Sequence, residues 1–194
     1  MTLEESLFRQ INSLAGQQWL VDYFMIAISN GNTWIMVSAL VVAAALFARS
    51  EKLLSMFLSA AIALGVADFV SFRFVKQIVA RERPCRLLED VHLVLNQCGG
   101  SYGFTSNHAS NAFAVWVIVA FGYGLRSSTS LACIWLASLV ALSRVYLGVH
   151  FVGDILGGAL LGSLLGVALV KVGLFYFSNH VAKQILSYLP STGK

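Results

Sequence analysis

Residues 130–177 read SLACIWLASLVALSRVYLGVHFVGDILGGALLGSLLGVALVKVGLFYF, two long apolar runs parted by a short ionisable stretch. About 20 mostly apolar residues carry a helix across the hydrocarbon of a bilayer, so each run has spanning length. Ser143, Arg144, His150 and Asp154 stand where the first run ends and the second begins. Outward from this junction, further apolar runs cover 31–49, 54–75 and 108–125 and complete a set of five with 130–148 and 151–177. They are continuously apolar rather than alternating, which excludes a membrane β-barrel.

Composition agrees. The chain is 58% hydrophobic and 11% charged, against about a quarter charged in soluble domains. Lipid is therefore the solvent for most of it, and a net charge of +4 is too small to argue for nucleic acid. The segment from Trp19 to Ser29 is too short to cross alone. Before it, Leu3, Leu7, Ile11 and Leu14 recur at helical spacing among Glu4, Glu5, Arg9 and Asn12, the pattern of an interfacial amphipathic helix. The expected fold is an all-α polytopic membrane helix bundle with five spans, a sixth drawn from the N-terminal region, and an amphipathic helix at the start. Residues 1–194 are expected to form one integral membrane domain, without linker or removable signal peptide.

Lys/Arg counting does not orient this bundle. Arg49, Lys52, Arg126, Lys171, Lys183 and Lys194 fall on one side, and Arg73, Lys76, Arg81, Arg83, Arg86 and Arg144 on the other. A functional cluster of cations would produce such a tie. Cys85 and Cys98 bracket one loop; a disulfide between them would need an oxidising compartment, and two reduced thiols are the alternative. Cys133 lies inside a span and reads as packing.

Three charged segments meet the membrane edge. Lys76 and Arg83 are seven residues apart, a spacing that puts both on one helical stripe, with Pro84 expected to stop the helix. Snorkelling would explain one such cation, but not five basic residues between 73 and 86. The glycine-rich loop 99–107 runs into the span that opens at His108. Ser106 or Asn107 is placed to cap that helix, whose free N–H groups would hold phosphate oxygens. The spacing of His150 and Asp154 sets both on one helical face, where the carboxylate accepts the imidazole Nδ1–H and leaves Nε2 as nucleophile or base. A structural His–Asp pair closing a helix is the simpler alternative.

Together these residues resemble the type-2 phosphatidic acid phosphatase superfamily, whose signature is Lys-x6-Arg-Pro, Pro-Ser-Gly-His and Ser-Arg-x5-His-x3-Asp. The first and third motifs match at Lys76, Arg83, Pro84, Ser143, Arg144, His150 and Asp154. The second departs, with Thr105 and Asn107 in place of Pro and Gly while Ser106 and His108 remain. The resemblance covers about 70–160.

It implies a phosphatase of lipid phosphates. Lys76, Arg83, Arg144, Ser106 and Asn107 would bind phosphate, His150 would attack phosphorus with Asp154 holding its ring, and His108 would protonate the leaving oxygen. No cofactor and no metal are expected. The implied partners are a lipid phosphate drawn from the bilayer and the membrane lipids themselves. The resemblance to short bacterial members implies a multi-pass protein of the bacterial inner membrane, its site facing the periplasm. Undecaprenyl diphosphate is the expected substrate, with phosphatidylglycerophosphate, phosphatidic acid and lipid A 1-phosphate as alternatives. A phosphotransferase and a non-enzymatic lipid transporter are the competing classes. Asp68, mid-span, is expected either to pair with a site cation or to be a hydrogen-bonded packing residue. Gly158, Gly162 and Gly166 are expected to permit close helix packing, and Trp19, Trp34, Tyr102 and Tyr146 to form an interfacial belt.

Overall fold

The structure is a computed structural model that describes residues 1–189; Lys194 of the orientation count lies outside them. Among the described residues the chain is helical, with one isolated bridge, Glu82 to Tyr102, and no strand. The helices are α1 (Leu3–Asn12), α2 (Trp19–Ser29), α3 (Gly31–Phe47), α4 (Glu51–Val70), α5 (Lys76–Val79), α6 (Pro84–Leu87), α7 (Asn107–Tyr123), α8 (Ser128–Tyr146), α9 (Val152–Lys171) and α10 (Leu174–Ser187).

Small polar residues set the boundaries. Thr2, Asn30, Ser50 and Ser127 cap α1, α3, α4 and α8 by accepting first-turn backbone N–H groups. At the other ends, Gly148 and Gly173 take positive φ of 82° and 91°, where a Cβ would be strained. The second glycine divides the last apolar run, so α9 stops at Lys171 and α10 starts afresh.

Five helices follow the five apolar runs. Among the described residues, Glu51–Val79, Ser128–Tyr146 and Val152–Lys171 are each long and apolar enough to span. The pair α2–α3, bent by 62° at Asn30, makes a fourth if it is one broken span. At about 1.5 Å per residue α7 is about 25 Å long, slightly under the hydrocarbon thickness.

Lipid as solvent explains the sidedness of α9. Leu156, Leu160 and Leu164 point outward and exposed, while Gly158, Gly162 and Gly166 face α7. A Cβ at Gly162 would overlap the Ser110 carbonyl, and one at Gly166 would lie 2.9 Å from Val117 Cβ. The backbones thus meet as closely as small-residue stripes allow in membranes. Alanines continue this packing, with Ala63 and Ala67 of α4 meeting Ala114 and Ile118 of α7.

The amphipathic helix α1 lies across one end of the bundle. Phe8 is buried with Val145 and Phe151, whereas Leu3, Leu7 and Leu14 are exposed. Two expectations need correction. Tyr146 is no belt residue: it is 2% exposed, and its hydroxyl bonds Asp22 and the Leu14 carbonyl. Nor do Lys76 and Arg83 share one helix. The helix ends at Val79, Ala80 turns left-handed at φ 47°, and Arg83 is extended ahead of Pro84, the first residue of α6. Proline holds the residue before it extended and suits a helix's first position, so Pro84 starts a turn here instead of ending one.

Candidate active site

The site lies at the end of the bundle where α4, α7, α8 and α9 begin or finish. Between α4 and α5 the helix widens into a π turn over Ser71–Val75, which carries Ser71 and leads straight into Lys76. Lys76 is buried, and its ammonium donates to the carbonyls of Tyr102 (3.4 Å), Gly103 (3.2 Å) and Thr105 (2.6 Å). It therefore ties down the loop that enters α7.

Arg83 reaches the same place from the extended segment. Its Nε donates to Gly100 O at 2.8 Å, and Nη1 donates to Val149 O at 3.0 Å and approaches His150 Nε2 at 2.9 Å. The loop that supplies Gly100 is closed by a disulfide between Cys85 and Cys98, and Arg86 also donates to its Gly99 carbonyl.

His150 sits just ahead of α9 and is 2% exposed. Its Nδ1 lies 3.3 Å from Asp154 Oδ2, the oxygen that also accepts the Phe151 N–H at 3.0 Å. Nδ1 is thus the protonated nitrogen and Nε2 carries the lone pair, which the Arg83 N–H orients. Burial first, and then the nearby Arg83, Arg144 and Lys76, hold the His150 pKa well below the usual histidine value. The imidazole is neutral at neutral pH, as a nitrogen nucleophile must be.

His108 stands in the first turn of α7, its Nε2 3.1 Å from the Ser29 carbonyl. Arg144, in the last turn of α8, donates Nη1 to the Ser29 hydroxyl, and its buried Nε has no partner among the described residues. Ser106 is the N-cap residue by position, but its buried hydroxyl makes no capping bond and has no partner among the described residues. Asn107 is tied sideways: its Nδ2 donates to Asp68 Oδ1 at 2.6 Å, and its Oδ1 accepts from Ser71 at 2.8 Å. Asp68 also takes an N–H from Asn111, so it meets amides and not a site cation. Phe72, Lys76, Gln77, Arg83, Tyr102, Asn107, His108, Arg144 and His150 line one cavity of about 510 Å³.

A match to the PAP2 superfamily covers residues 52–178. The chain belongs to this superfamily. Lipid A 4'-phosphatase of Porphyromonas gingivalis is 32% identical over 181 residues, covering 90% of this chain and 75% of that protein. An undecaprenyl-diphosphatase of Sulfolobus acidocaldarius is 31% identical, over 79% of this chain and 75% of its own length. The crystal structure of a transmembrane PAP2 type phosphatidylglycerolphosphate phosphatase from Bacillus subtilis superposes with a TM-score of 0.61 at 24% identity. The alignment covers 95% of this chain and 89% of that one. The superfamily's lipid phosphatases are hydrolases, and this PAP2 chain is an enzyme of that class, embedded in a membrane.

The PAP2 motifs meet around one cavity, though Asp154 lies behind His150 and Ser106 is buried off the cavity lining. Motif spacing names none of Ser29, Arg81 or Glu4: Ser29 touches His108, Arg81 touches Asp154, and Glu4 touches Arg81. For Ser29 a signal existed: the polar run Ser29-Asn30-Gly31-Asn32 interrupts two apolar stretches. Arg81 was one of a basic group, and Glu4 looked like the wet face of an interfacial helix.

Proposed function

We propose that this PAP2 enzyme removes phosphate from a lipid A-type saccharolipid through a phosphohistidine on His150, at the periplasmic face of a bacterial inner membrane. One observation carries the chemistry: a neutral, buried imidazole with Asp154 on one nitrogen and Arg83 on the other opens onto a cation-lined cavity. In the first step Nε2 bonds to phosphorus as the phosphorus–oxygen bond to the lipid breaks. The leaving oxygen takes a proton from the imidazolium form of His108, a charge that the bound phosphate favours, while the ring's other N–H donates to the Ser29 carbonyl. Asp154 neutralises the positive charge that attack places on the imidazole. Water then attacks phosphorus with His108 as base, the nitrogen–phosphorus bond breaks, and phosphate leaves.

Among the described residues neither Nη2 of Arg83 nor Nη2 of Arg144 makes a hydrogen bond, and these donors are left for equatorial oxygens. Such cations stabilise the charge of phosphoryl transfer in place without rearranging. Lys76 contributes its charge while holding the loop.

Two observations support the saccharolipid. The relatives named lipid A 4'-phosphatase, in Porphyromonas gingivalis and Bacteroides thetaiotaomicron, align with 90% and 99% of the chain. Gln77, Ser101, Tyr102 and Asn107 add hydrogen-bonding groups to the cavity that suit sugar hydroxyls. Undecaprenyl diphosphate is the second reading, favoured by the undecaprenyl-diphosphatase relative. The disulfide beside the site supports an oxidising, extracytoplasmic face. Phosphate release from lipid A, undecaprenyl diphosphate, phosphatidylglycerophosphate and phosphatidic acid, with EDTA present, tests the reading. Lipid A should be preferred, and His150→Ala should abolish turnover of every substrate. A preference for undecaprenyl diphosphate would select the second reading; turnover by the His150 variant would refute the mechanism.

A further inference from the structure

The carboxylate oxygen of Asp154 that does not face His150 belongs to a second cluster. Asp154 Oδ1 accepts Arg81 Nη1–H at 3.1 Å. Arg81 is held in turn by Glu4 of α1: Oε1 accepts from Nη1 at 3.1 Å, and Oε2 from Nη2. Glu4 Oε1 also accepts the backbone N–H of Gly153 at 3.0 Å, in the first turn of α9. A Cβ at Gly153 would meet that same oxygen, so the contact needs glycine there. The Arg81 guanidinium lies 4.5 Å from the centre of the Phe151 ring, which packs edge-on against Phe8 of α1.

This arrangement has a physical logic. The Asp154 side chain is fully buried, and an uncompensated buried carboxylate is costly. Arg81 compensates it, but alone would cancel the negative charge that the imidazole needs as it becomes positive. Glu4 supplies the second carboxylate and leaves the group with a single net negative charge. By accepting the Gly153 N–H it also satisfies one of the free donors at the start of α9. Both the side chain and the backbone around Asp154 therefore rest on α1, which precedes residues 52–178 of the family match.

We propose that Glu4 is a positioning residue: through Arg81 and the Gly153 amide it holds Asp154, and thereby His150, in the attacking geometry. The inference rests on the reading of His150 as nucleophile. It is tested on the full chain in detergent micelles with lipid A, by initial rates and thermal midpoints.

Glu4→Gln, which keeps size and one acceptor, should lower kcat about tenfold, and Arg81→Ala about 100-fold, since misplacing a reacting group by an ångström costs that much. KM should stay within about twofold, because the phosphate contacts are untouched. Arg81→Lys should recover part of the loss. The control Glu5→Gln, which breaks only the helical pair with Arg9, should leave kcat unchanged. Wild-type kcat in Glu4→Gln and Arg81→Ala, or a loss confined to KM or to the thermal midpoint, overturns the proposal. With His150→Ala inactive in the same assay, that outcome leaves the mechanism standing; full turnover in His150→Ala removes both.

Discussion

Replacing Asp154 by asparagine changes one atom and removes a charge, and the structure fixes what each orientation of the amide would do. Asp154 Oδ2 faces His150 Nδ1 and accepts the Phe151 N–H, while Oδ1 accepts from Arg81. If the amide oxygen stays with His150, its NH2 meets the Arg81 donor, and two buried donors confront each other. If the amide turns, its NH2 meets the Phe151 N–H and forces Nδ1 of His150 to become the acceptor. The proton then moves to Nε2, where it blocks attack and points at Arg83. Losing one charge-assisted hydrogen bond costs about 1.5–3 kcal/mol, which is about 10- to 150-fold in rate. A wrong histidine tautomer behind an intact site raises the loss toward about 10⁴-fold. We expect Asp154→Asn to reduce kcat by about 10²–10⁴-fold with KM nearly unchanged. Single-turnover phosphate release from lipid A in micelles measures it. A variant retaining a third of wild-type kcat, or losing only affinity, would refute the assignment of Asp154 to the imidazole.

Other consequences follow from the same geometry. Because His150 is held neutral, kcat/KM corrected for substrate ionisation should show no loss as pH falls through about 6.5, the usual histidine value; an acid limb at that value contradicts it. The same depression contributes stability that is present above about pH 6.5 and lost as pH falls toward the folded value, because only the unfolded chain readily binds that proton. The Cys85–Cys98 bridge closes a short loop, and the carbonyls of Gly99 and Gly100 just beyond it hold Arg86 and Arg83. Serine at both positions should remove up to about 3 kcal/mol of stability and raise KM; an unchanged thermal midpoint and KM in the double variant would show that the loop holds itself. Gly162→Ala should cost about 1–3 kcal/mol by forcing α9 off α7, whereas Gly65→Ala, with open space around it, should be neutral; equal melting of the two argues against close packing.

The bundle was legible in the sequence because lipid imposes long apolar runs, and α4, α7, α8 and α9 follow them within a few residues. One contact of the candidate site was legible for a different reason. His150 and Asp154 are four apart, and a spacing that short survives folding as a contact. Longer spacings did not. Lys76 and Arg83 meet in space only because the chain leaves the helix at Ala80, which helical periodicity does not foresee. Asp68 joins Asn107 across 39 positions, and Glu4 joins Arg81 across 77. Such pairings depend on how helices pack, so a carboxylate on an amphipathic helix read as solvated. Tyr146 misled for the same reason: an aromatic near a span end is an interfacial anchor unless other segments cover it, and here the turn after α1 and helix α2 do.

Everything in the mechanism passes through a covalent bond between His150 Nε2 and phosphorus. Rapid denaturation of the enzyme during turnover, followed by mass spectrometry at high pH where phosphohistidine survives, measures that bond directly. The account predicts a phosphoryl group on the peptide containing His150, absent in His150→Ala. Sustained turnover with no phosphoryl group on His150, or with the label on another residue, would contradict it.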